Sequence, residues 1–88
     1  MINLDKELGG IAQMIDKTMP ESTVVAAYVA HWRSGELAHR SSASIIVSIK
    51  ASADRHTGSQ DLKTALAYQT LSEKCGAVIV GALEGVSQ

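Results

Sequence analysis

Three breaks divide this chain into segments of helix length: Thr18-Met19-Pro20-Glu21, Gly35 and Gly58. Between Gly35 and Gly58 no Gly or Pro occurs, and within each segment apolar residues recur with a period that can be tested. Leu4, Leu8, Ile11 and Ile15 follow one another at four, three and four, a single stripe on a 3.6-residue helix. Asn3 is a good N-cap for it, and Asp5 and Glu7 stand where the helix dipole favours acids. The Thr18–Glu21 stretch reads as a capping box with proline in the first turn of a second helix. On that helix Val24, Val25, Tyr28, Val29 and Trp32 share about 140° of a wheel. Gly35 follows as the residue that closes it.

The next segment carries two patterns at once. Ala38, Ile45, Ile46, Ile49 and Ala53 form a helical stripe, with Arg55 and His56 before Gly58 as a C-terminal signature. Yet Ala43, Ile45, Val47, Ile49, Ala51 and Ala53 alternate with polar residues at strand period. Ser59 then caps a fourth segment in which Thr64, Tyr68, Leu71, Cys75, Val78, Ile79, Ala82, Leu83 and Val86 lie on one face, interrupted by Gly76, Gly81 and Gly85. Phe is absent and aromatics make up 3% of the chain, so the core must be aliphatic; twelve alanines suit closely packed helices. The expectation is one all-α domain over residues 1–88, an up-and-down bundle of helices near 4–17, 19–33, 36–56 and 60–86. Its rival is an α+β fold with strands near 23–32, 43–53 and 77–83.

Charge and composition exclude more than they assign. The net charge of −1 gives no general affinity for nucleic acid, and no apolar run reaches membrane length. The first residues, Met-Ile-Asn-Leu-Asp-Lys-Glu, do not resemble a secretory leader, so a cytoplasmic setting is expected. One cysteine makes no disulfide framework and no multi-cysteine zinc site. Cys75 lies on the apolar stripe with no histidine after it in the chain, which fits a core thiol rather than a nucleophile. His31, His39 and His56 show no metal-binding spacing. On one helix over 36–56, His39 and His56 would stand about 25 Å apart. No phosphate-binding glycine loop and no G-x-S-x-G element occurs, and no pair of acids has a visible reason to be perturbed. Neither an enzyme nor a cofactor is expected.

Two functional readings remain. The segment 31–56 holds Arg33, Arg40, Lys50 and Arg55 against Glu36 and Asp54, and all three histidines, which offers a weak nucleic-acid surface. A surplus of two charges is small for such binding, however. A helix-turn-helix alignment on Gly35 also puts Ser34, Glu36, Ser41 and Ser44 where apolar residues belong. The favoured reading is a non-catalytic protein-interaction module: a small subunit, adaptor or inhibitor of a larger assembly, including assemblies carried by mobile elements. Its expected partner-binding residues are Arg40, Val47 and Lys50, since on a helix over 36–56 Val47 points away from Ile45 and Ile49 between two cations. The dense apolar run Val78, Ile79, Val80 and Leu83 leads to the further expectation of a homodimer through the C-terminal segment.

Overall fold

The structure is a computed structural model that describes residues 3–58 and 61–86. Four helices follow in order: α1 (Leu4–Thr18), α2 (Val24–Arg33), α3 (Ser42–Arg55) and α4 (Leu62–Val86), with no strand among the described residues. The all-α expectation holds, and of the rival strands 43–53 and 77–83 are helical throughout and 23–32 is helical from residue 24. The propensity of the β-branched run 45–49 is overridden because Ile45, Ile46 and Ile49 bury together on a helix, with Ala53 one turn on.

Two helix starts differ from expectation for local reasons. Thr18 does not cap α2; its hydroxyl bonds back to the Met14 carbonyl at 2.7 Å and closes α1. Met19 precedes Pro20, whose ring excludes the helical region for its neighbour, and Met19 is accordingly extended (φ −112°, ψ 136°). The chain turns through Pro20–Ser22, and Thr23 becomes the cap, accepting from the Ala26 N–H at 3.3 Å. The helix expected to begin at residue 36 begins instead at Ser42, because Ser41 caps it by accepting from the Ser44 N–H at 3.1 Å. Residues 36–39 are turns that lead through Arg40 to extended Ser41, so His39 is not on α3 and the one-helix separation of His39 and His56 does not apply. The expected cap Ser59 lies outside the described residues. Asp61 caps α4: its carboxylate accepts from the Lys63 N–H and the Thr64 hydroxyl, and its carbonyl takes the Ala65 N–H.

Gly35 ends α2 as its sequence position implies. At φ +88° it is left-handed, the Glu36 N–H reaches the His31 carbonyl and the Gly35 N–H reaches that of Trp32, both at 3.1 Å. These are the paired bonds of a Schellman ending. His31 and Glu36 join their side chains across it at 2.7 Å. A Cβ at Gly35 would meet nothing within 4 Å, so only backbone strain opposes one. Gly35→Ala should therefore lower the unfolding free energy by about 1–2 kcal/mol, read from denaturant midpoints at unchanged slope. No loss would show that the turn relaxes.

Leu8, Ile11, Ile15, Val25, Ile46, Leu71 and Cys75 meet in one aliphatic core. The glycines of α4 do not stop it. Gly76 faces α3, and a Cβ there would lie 3.4 Å from the Lys50 side chain. α4 packs on α3 and α1 and does not touch α2. With 25 residues it outreaches α1 and α3, which have 15 and 14. At 1.5 Å per residue α4 spans about 37 Å and its supports about 21–22 Å, so it is longer than either helix that covers it.

Candidate interaction surfaces

Much of the exposed apolar surface belongs to α4, Leu83 included, which the sequence places on the buried face. Of the large hydrophobic side chains that remain exposed, Leu62, Leu66, Val80 and Leu83 belong to α4, at 71, 53, 53 and 63%. They lie near its two ends. Leu62, Leu66, Gln69, Glu73, Ala77 and Val80 follow one another on the outer side, opposite buried Leu71, Cys75 and Val78. Beside the C-terminal end, Leu83 joins Leu4, Ala43, Ile46, Val47 and Ile79 around an apolar groove of about 190 Å³.

The three residues expected to bind a partner do not form one patch. Val47 is half exposed and lines that groove. Lys50, one turn on, donates to Asp54 at 2.8 Å, and Asp54 also accepts from Ser72 of α4. Arg40 precedes α3 instead of lying on it and turns the other way, toward α2. Its guanidinium donates to the Tyr28 hydroxyl and to Ser44 Oγ and Ser48 Oγ at 2.6 and 2.7 Å, 5.7 Å from the Tyr28 ring centre. The signal that could have separated Arg40 from Val47 is the Ser41-x-x-Ser44 cap, which starts the helix after Arg40.

The cations of segment 31–56 are largely spent within the fold. Arg33 holds Asp16 with two bonds of 3.0 and 2.7 Å, which keeps the Asp16 carboxyl below its usual range. The hydrogen bonds from Lys50 and Ser72 do the same for Asp54. Arg55 makes no hydrogen bond or ion pair among the described residues. The histidines stay apart: His31 pairs with Glu36, and His56 donates from Nδ1 to the Ser52 carbonyl and stacks on Tyr68 at 5.1 Å. Among the described residues no three His, Cys, Asp or Glu side chains gather as metal ligands, and no helix is long and apolar enough to cross a membrane. No family model, curated protein or solved structure matches the chain.

Proposed function

We propose that the protein is a non-catalytic interaction module that pairs with a second copy of itself through the outer side of α4. The observation that carries this is the outer side of α4, where Leu62, Leu66 and Val80 stand in water with exposed Leu83 beside them. An antiparallel pair about a two-fold axis sets the Leu62–Leu66 end of one copy against the Val80–Leu83 end of the other, and the same contact is then made twice. The groove at Val47 adjoins one end of this interface and offers an apolar seat for a further protein, the role expected of a small subunit, adaptor or inhibitor. On this reading the chain works in the cytoplasm, where its one thiol stays reduced.

Sedimentation equilibrium at micromolar concentration should give twice the chain mass of 9.3 kDa. Leu66→Glu and Val80→Glu should each return the single-chain mass with an unchanged circular dichroism spectrum, because both side chains are already half in water in one copy. Val47→Glu should keep both the fold and the pairing and remove only the binding of a further protein. A single-chain mass for the unaltered protein at about 100 μM would refute the pairing, because a self-contact weaker than about −5.5 kcal/mol is no stable dimer.

A further inference from the structure

On the opposite side of the molecule from the outer stripe of α4, a cleft of about 170 Å³ runs between α2 and α3. Val24, Val25 and Tyr28 form its α2 wall, Ile49 lies on its floor, and Ser48, Ser52 and Arg55 line α3 at intervals of four and three. Those intervals put the three polar side chains on one face of the helix.

Ser52 is the unusual member. It is 6% exposed, and its hydroxyl has no hydrogen-bond partner among the described residues. A buried hydroxyl left unpaired costs about 1–3 kcal/mol, and such groups are uncommon in folded chains. The two serines before it on the same face are both served: Arg40 donates to Ser44 Oγ and Ser48 Oγ, and its reach ends one turn short of Ser52. Arg55, at the other end of the cleft, is a guanidinium with no carboxylate partner among the described residues. Asp54, the nearest acid in sequence, is turned to Lys50 and to Ser72 of α4. No acid lines the cleft. It is therefore flanked by Arg40 behind Ser48 and by Arg55, over an aliphatic floor.

We propose that this cleft binds a small monocarboxylate with a short aliphatic tail. The carboxylate accepts from the Arg55 guanidinium, whose planar donors suit it. It also accepts from the Ser52 hydroxyl, which a turn between staggered χ1 positions directs toward the cleft that the residue already lines. The tail lies on Val25 and Ile49. At about 30 Å³ per water-sized group the volume takes about six heavy atoms, the size of butyrate. A phosphate dianion fits less well, since three of the seven lining residues are aliphatic and a single guanidinium faces it. The site shares no residue with the α4 interface, so neither proposal depends on the other.

The test is a titration of ¹⁵N-labelled protein at constant ionic strength with sodium butyrate, n-butanol and inorganic phosphate in parallel. Butyrate should shift the amides of residues 25, 28, 48, 52 and 55 saturably. Butanol should need at least about a tenfold higher concentration, and phosphate should give no saturable shift at these amides. Arg55→Gln should weaken butyrate about tenfold or more and leave butanol unchanged, and Ser52→Ala should weaken butyrate at an undiminished melting temperature. Arg55 is exposed, so its variant keeps the fold and carries the test even if Ser52→Ala does not. Equal affinity for butanol would reduce the site to an apolar hollow, and equal affinity for phosphate to a general anion patch. No saturable shift at about 50 mM butyrate, a Kd too weak for about 2 kcal/mol of binding, would mean that water serves Ser52. Each of these three results overturns the proposal.

Discussion

Native Cys75 should react with an aromatic disulfide reagent at pH 8 at least about a hundredfold more slowly than the unfolded chain. Burial pushes its thiol up from an ordinary value of 9.0 to about 11, with Lys50 and Lys74 only partly opposing that rise. The reacting thiolate is then scarcer by about that factor. Access adds to the effect, because the side chain is fully buried beside Leu71 and Val78. The same shift fixes a direction for stability. Below about pH 9 the thiol is protonated in both folded and unfolded chains, and its raised value makes no difference. As pH rises toward about 11 the unfolded chain ionises first and gains, so stability falls across that window. Cys75→Ala should abolish this alkaline slope. Modification of the native protein at the rate of a free thiol would show that α4 opens readily.

Leu71→Ala should lower the unfolding free energy by about 2–5 kcal/mol, which is a large share of what an 88-residue domain holds. Leu71 has no exposure and sits where α4 crosses α1 and α3, so the vacated volume is enclosed on all sides. Fewer aromatic rings are at hand here to swing into such a hole than in most cores. Leu66→Ala, five residues away on the outer side, should cost under about 0.5 kcal/mol in the single chain. Denaturation midpoints of the two variants side by side test the assignment of faces. Similar losses would mean that the outer side is already covered.

Much of this architecture could be read from spacing alone. The stripe Leu8, Ile11 and Ile15, the cap Asn3 and the ending at Gly35 are local events, and the structure keeps all three. The strand period of 43–53 misleads because alternate alanines and serines are small enough to sit on any surface; only Ile45, Ile46 and Ile49 discriminate, and they do so by being buried together. Competing caps set the two displaced starts. Thr18 and Thr23 are equally good cap residues in isolation, and the constraint of Pro20 on Met19 decides between them. The candidate surfaces were legible only in part. Exposure of Val47 follows from helical phase, but the guanidinium of Arg40 depends on where Tyr28 comes to rest, a contact twelve positions away. The spacing already makes α4 the longest helix; which of its side chains stay uncovered appears only once α1 and α3 are packed on it.

The position of α2 sets how the molecule comes apart. It is ten residues long, touches α1 and α3 but not α4, and buries only Val25 and Val29 completely. A helix so short has little stability of its own in water. Its amides should therefore exchange with deuterium through a partial opening that leaves α1, α3 and α4 closed, while those around Leu71 wait for global unfolding. The bundle then behaves as a three-helix body with one detachable member, and the wall of the α2–α3 cleft is the part that detaches.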